Sequence, residues 1–443
     1  MTTRLNCFTR RAQEPGVRCN ALMGLLAEPE GLRESFESQP GNKAPGVDGI
    51  RKQEYAQGVE GKLAQLSAAV RRLGYQPKPV RRVYIPKSNG GRRPLGVPSF
   101  EDRIVQDRLS RILQAIWEPE FRGCSYGFRP GRNAHQALAR LDEIVTQERT
   151  QWVVEADIKG FFDNVGHEHL MKFLAHRIAD EKLLRIVRRF LKAGVLESGV
   201  FSDSQAGTPQ GGLVSPVLAN IYLHYVLDLW FEKRYAKSCR DRAYRVRYAD
   251  DFVACFENEQ DAKRFLPELQ ERGAVQSASR TDQDLGAAFW CTRAVDMSAR
   301  RAQTGTTLNF LGFTHYVRRT RGGSFALGRK TQRQRFGRKL KEVSVQLPAR
   351  RTQGGRAMMQ YARRHVMGHL QYYAVRGNSR SLRNYVYRVG RLLFKWLNRR
   401  SQRRSVNWAR FAPVLAKLLP VPRILHPLTP STPPRTCAGS RMV

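Results

Sequence analysis

A formal charge of +39, from 77 Lys+Arg against 38 Asp+Glu in 443 residues, asks for a polyanionic partner, and nucleic acid is the usual one. No stretch reaches the ~18 apolar residues of a membrane span, so no membrane partner is expected. The seven cysteines (7, 19, 124, 239, 255, 291 and 437) form no CxxC pair, which argues against a zinc site or a disulfide scaffold and fits a reducing, bacterial-type cytosol.

In chain order, Met1 to Arg11 lacks the apolar stretch of a secretory signal. The length allows two or more domains, and no internal repeat is visible. Residues 151–158 read as a strand carrying Asp157 near its end, with Gly160 punctuating the turn after it. Gly207-Thr208-Pro209-Gln210-Gly211-Gly212 is a glycine-dense loop. It runs into a helical pattern through Val217, Leu218, Ile221, Leu223, Val226, Leu227 and Trp230. Glycines let backbone come close to a nucleotide, and the helix start offers free N–H groups to phosphate or base.

Further on, Val246 and Tyr248 alternate with polar residues, and Phe252 to Phe256 is apolar. The polar tip between them, Tyr248-Ala249-Asp250-Asp251, predicts a β-hairpin. Adjacent carboxylates at such a tip repel each other unless a cation sits between them. Polymerases hold divalent metal ions against a triphosphate in this way. An isolated Asp-Asp turn is most often merely solvated. The upstream Asp157 strand and the glycine loop, in this order, favour the metal-binding reading.

From Arg321 to Arg410 the chain carries 24 Lys or Arg and a single acid, Glu342. There Leu382, Val386, Val389, Leu393 and Leu397 fall at near-helical spacing. Arg391, Lys395 and Arg399 repeat every four residues on another face. The pattern predicts an amphipathic helix with an apolar side for packing and a basic side for RNA phosphates.

Over roughly residues 20–425 these features resemble group II intron reverse transcriptases, also called intron maturases. Residues 41–49 (Gly-Asn-Lys-Ala-Pro-Gly-Val-Asp-Gly) resemble the family's N-terminal finger motif. Residues 81–87 and 92–98 resemble its triphosphate-binding finger. Asp102 to Gln106 and Ser125 to Arg132 follow in order, and Phe310-Leu311-Gly312-Phe313 resembles the primer grip.

The resemblance implies an α+β right-hand polymerase. The N-terminal extension and fingers would lie at 1–135 and an antiparallel, ferredoxin-like palm at 136–325. A helical thumb and RNA-binding maturase domain would follow at 326–412, then a short Pro-rich tail at 413–443. The tail is too short for the metal-dependent endonuclease that some members carry. Two-metal phosphoryl transfer is implied, with Asp157 and Asp250 holding two Mg²⁺ ions. Asp251 would be a weaker or outer ligand, and the Ile158 carbonyl would face a metal. Lys87 and Arg93, helped by Arg81, would grip the triphosphate. Gln210 would sit near the incoming nucleotide, and Phe162 would exclude a 2′-hydroxyl. Phe310, Leu311 and Gly312 would hold the primer end. The implied partners are intron RNA, an RNA template with a DNA primer, target DNA and deoxynucleoside triphosphates.

Residues 272–306 depart from the family pattern. Apolar alternation and the Lys-Thr pair are missing, with Arg280-Thr281 the nearest substitute. A local loss between two good matches suggests compensated frameshifts, in which case the palm would lose a strand and a proton-donating Lys. It therefore supports the alternative of an RNA-binding maturase with lost polymerase activity. An RNA-directed RNA polymerase or a retron-type enzyme is a third reading, opposed by Phe162 and the long basic C-terminal region.

Overall fold

A computed structural model of the chain describes residues 3–14, 16–86, 91–148, 150–158, 161–197, 200–202, 207, 211–278, 289–296, 307–319, 325–399 and 406–428.

The N-terminal part is a helical layer built on the Phe100–Trp117 helix. Ser99 caps that helix by accepting from the Asp102 N–H. The helix buries Ile104, Leu109, Leu113, Ile116 and Trp117 and packs against the Thr3–Arg11, Leu22–Leu26 and Pro29–Ser38 helices. A hairpin of β1 (Val80–Pro86) and β2 (Arg92–Val97) leaves this layer.

The central sheet begins with β3 (Trp152–Ile158). Two short strands, β4 (Val195–Glu197) and β5 (Val200–Ser202), then extend the first hairpin, with β4 parallel to β1. Strands of three residues are too short to leave a readable period, and the sequence did not reveal them.

Next come β6 (Ala243–Tyr248), β7 (Asp251–Phe256) and β8 (Phe289–Asp296). The sheet order is β6-β7-β3-β8 and every neighbouring pair is antiparallel. This is the order of a split β-α-β-β-α-β unit. Strand β8 corrects the expectation of a missing strand: the departure at 272–306 does not leave the sheet one strand short. Backbone hydrogen bonding to β3 from Trp152↔Asp296 to Ile158↔Phe289 makes β8 a strand without the expected alternation.

Both faces of the sheet are covered. Val154, Ala156, Phe252, Ala254 and Phe256 pack toward Phe265 and Leu269 of the Glu259–Ala278 helix, and toward the helical run that starts at Ser215. Val153, Val246, Val253 and Cys255 pack on the other side, toward Leu138, Leu141 and Ile144 of the Ala134–Gln147 helix. The register Val246↔Val253 puts Arg245 and Arg247 on the first face, under the helices. Arg245 is 5% exposed and Arg247 fully buried. The alternation of β6 therefore does not separate core from solvent.

A third sheet, β9 (Thr307–Phe310), β10 (Phe313–Arg319) and β11 (Phe325–Thr331), leads into four helices. These are Arg333–Ala349, Gly355–Tyr373, Ser379–Asn398 and Trp408–Leu418. In the Ser379–Asn398 helix Leu382, Val389 and Leu393 are buried, as their spacing predicts, while Val386 and Leu397 are partly buried. A Cβ on Gly390 would come within 2.4 Å of the Leu415 side chain, so glycine allows the last helix to approach. Among the described residues no helix is long and apolar enough to cross a membrane.

Candidate active site

The β6–β7 turn carries Asp250, and Asp251 is the first residue of β7. The β3–β7 register runs to Ala156↔Phe252. One step further along each strand lie Asp157 and Asp251, so backbone pairing alone sets the strand position of Asp157 beside the hairpin tip. The side chain of Asp157 lies outside the described residues. Ile158, next along β3, is buried and pairs with Phe289.

The turn is held from below. Ala249 has φ of 59°, in the left-handed region that non-glycine residues rarely enter. Its carbonyl accepts from Arg247 Nη1 at 2.9 Å. The same guanidinium donates from Nε and Nη2 to the two carboxylate oxygens of Asp228, at 3.0 and 2.6 Å. Nη1 also donates to Asn220 Oδ1 at 3.0 Å. Asn220 Nδ2 donates to the Gly127 carbonyl at 2.7 Å. A Cβ on Gly127 would stand 2.3 Å from Ala249 N, so only glycine permits this approach.

Asp228 is fully buried and also pairs with Arg245 Nη2 at 2.7 Å. Burial alone would push its carboxyl up, but the Arg247 and Arg245 guanidiniums outweigh that and hold it below its ordinary value. Sequence reading missed Asp228, Asn220, Arg247 and Gly127. One signal was available: an acid at position 228 interrupts the apolar run from Val217 to Trp230.

The residues expected to hold the primer form the β9–β10 turn. Phe310 is buried, Leu311 has φ of 50° and Gly312 has φ of 81°. Tyr372 Oη donates to the Leu311 carbonyl at 2.8 Å and so ties this turn to the Gly355–Tyr373 helix. The Asn309 N–H donates to Glu155 Oε2 at 3.1 Å, joining β9 to β3.

The other expected positions are less closely gathered. Phe162 lies in a short turn after β3, partly buried and edge-on to Phe161 at 5.4 Å. Arg81 donates from Nε and Nη2 to the Pro45 carbonyl at 3.2 and 2.7 Å, so it anchors the 41–49 loop to β1. Arg93 pairs with Ile85 through its backbone, and its side chain lies outside the described residues. Lys87 and Gln210 lie outside them altogether. Gln106 accepts from the Leu213 N–H at 2.7 Å, holding the end of the glycine loop on the Phe100–Trp117 helix.

Arg391, Lys395 and Arg399 line one cavity of about 870 Å³ with Lys341 and Arg388, floored by Leu340, Leu392 and Phe394. Arg391 also lies over the Trp408 ring at 4.8 Å.

Carboxylates are hard oxygen donors that suit Mg²⁺ or Mn²⁺ better than softer metals. Asp250, Asp251 and the Asp157 position fit such an ion. No group of three or more His, Cys, Asp or Glu side chains converges among the described residues, and a third donor here requires Asp157.

The Asp157 position on β3 and Asp250 and Asp251 of the β6–β7 hairpin meet at one end of an antiparallel sheet covered by helices. Residues 85–280 match the family model for reverse transcriptase (RNA-dependent DNA polymerase). Protein YkfC of Escherichia coli (strain K12) is 39% identical over 277 residues, covering 55% of this chain and 72% of that protein. The group II intron-encoded protein LtrA of Lactococcus lactis subsp. cremoris is 34% identical over 269 residues, covering 58% of this chain and 45% of that protein. An uncharacterized 91 kDa protein in the cob intron of Schizosaccharomyces pombe is 43% identical over 154 residues, covering 35% and 19%. The chain belongs to the group II intron reverse transcriptase and maturase family. It spans less than half the length of the two intron-named relatives.

Proposed function

We propose that this chain is an RNA-directed DNA polymerase that binds its intron RNA, assists its splicing and copies it into DNA. The observation that carries the reading is the strand register that brings the Asp157 position beside Asp250 and Asp251 at one end of the central sheet. The right-hand division also belongs to the proposal: fingers at 1–135, palm at 136–325, thumb and maturase domain at 326–412.

Asp157, Asp250 and Asp251, with the Ile158 carbonyl, would hold two Mg²⁺ ions. Bound there, these supply charge neutralisation to the triphosphate and activation to the primer 3′-hydroxyl. The protein contributes mostly position. Lys87 and Arg93 grip the phosphates while Arg81 fixes β1 to the 41–49 loop. Gln210 would pack near the incoming nucleotide. Phe162 would exclude a 2′-hydroxyl by the bulk of its ring. The Phe310–Gly312 turn, pinned by Tyr372, orients the primer end.

Primer extension on an RNA template, with Mg²⁺ and deoxynucleotides, tests the reading. DNA synthesis is the expected result. Tight, salt-dependent RNA binding without synthesis would favour the binding-only maturase instead.

The basic cavity gives a separate prediction. Arg391→Gln combined with Lys395→Gln is expected to weaken RNA binding and to lower the slope of log affinity against log salt by about two, one per lost phosphate contact. An unchanged slope would remove this cavity from the RNA-binding surface.

A further inference from the structure

We infer that Arg247, locked by Asp228 and Asn220, is a positioning residue that fixes the Tyr248–Asp251 turn in the one conformation where Asp250 and Asp251 can share a divalent cation. The inference rests on the polymerase reading of this turn and assigns a role to a residue remote from the reacting atoms.

Three observations carry it. The first is the guanidinium itself. Arg247 is fully buried, and it holds both Asp228 oxygens, Asn220 Oδ1 and the Ala249 carbonyl with one planar group. The donors of an arginine form a rigid fork. Asp228 and Asn220 belong to one helical run, so they fix the plane and height of that fork. Its remaining bond can reach the Ala249 carbonyl only if the turn sits at one level. That carbonyl lies directly before Asp250 in the chain.

The second observation is strain. Ala249 adopts φ of 59° immediately before the two carboxylates. Such a conformation persists where surrounding contacts over-determine it, and these places cluster at functional sites.

The third is the floor. Gly127 lies against Ala249 N so closely that no side chain fits, and Asn220 holds the Gly127 carbonyl as well as Arg247. One asparagine therefore sets both the clamp and the floor. A core ion pair serving only stability needs neither the reach to a strained turn nor the glycine floor.

The test uses the full chain as wild type, Arg247→Lys and Gly127→Ala. Lysine keeps the charge and loses the fork. Gly127→Ala leaves the ion pair in place and presses on the turn directly. Each protein is assayed for thermal melting, RNA binding, Mn²⁺ binding by electron paramagnetic resonance, and Fe²⁺-induced backbone cleavage near residues 248–251. Primer extension is measured across Mg²⁺ concentrations.

Folded variants are expected to keep wild-type RNA affinity while their Mn²⁺ midpoint rises at least roughly fivefold. Cleavage at the turn should fall, and the Mg²⁺ midpoint of extension should rise in step. A folded variant with the wild-type Mn²⁺ midpoint and cleavage pattern overturns the inference. If Arg247→Lys does not fold, Gly127→Ala decides by the same readouts. A wild-type protein that binds Mn²⁺ at the turn yet extends no primer would sink the polymerase reading alone, and the Mn²⁺ data would still judge the clamp. A wild-type protein that binds no Mn²⁺ there sinks the clamp.

Discussion

Replacing Asp228 by alanine is expected to destabilise the protein by about 3–5 kcal/mol, because it leaves two buried guanidiniums without their shared anion. That is a large part of the ~5–15 kcal/mol by which a typical domain is stable. Arg245 and Arg247 both meet this carboxylate, at 2.7 and 2.6 Å, and neither side chain has more than a trace of exposure. Urea unfolding of the variant against wild type measures the loss. A loss below about 1 kcal/mol would mean the two arginines find water or another acceptor once Asp228 is gone.

The same residue sets a pH dependence. Arg247 and Arg245 hold the folded-state carboxyl below its ordinary value despite burial. Its contribution is therefore complete above the unfolded value of about 4 and is lost as pH falls through the lower folded value. Acid unfolding of Asp228→Asn should lack that component, and curves of the same shape as wild type would contradict it.

Asp250→Ala is expected to reduce primer extension by about a thousandfold, equivalent to roughly 4 kcal/mol of lost transition-state stabilisation. RNA affinity and melting temperature should hardly change, since the side chain stands at a turn and not in either core. Asp251→Ala should cost less, in keeping with its place as an outer ligand. Assaying extension and RNA binding on the same preparations separates the two functions. Extension that survives Asp250→Ala would move the catalytic centre away from this hairpin.

Sequence made the outline of this site readable because two periods happen to be clean there. The apolar run Phe252–Phe256 and the strand carrying Asp157 near its end mark their own elements, and Leu382, Val389 and Leu393 mark the packed face of a helix. The support of the site was not readable in the same way. Alternation along β6 suggests that Arg245 and Arg247 face water, yet a helix covers that face and supplies Asp228. Alternation reports the two faces of a strand, but it cannot say whether a second layer covers the polar one. Strand β8 is the opposite case: pairing with β3 formed a strand where side-chain pattern predicted none.

The charge of the helical C-terminal region has a further consequence. Its single acid, Glu342, stands among 24 basic residues between Arg321 and Arg410, so like charges repel one another along this region whenever no polyanion is present. Added salt screens that self-repulsion and stabilises the free protein. The same salt dissolves the RNA complex, which itself acts as a ligand that stabilises the folded state. Melting temperature should therefore rise with ionic strength for the protein alone and fall for the complex. The two curves should converge at the salt concentration where RNA ceases to hold the fold together.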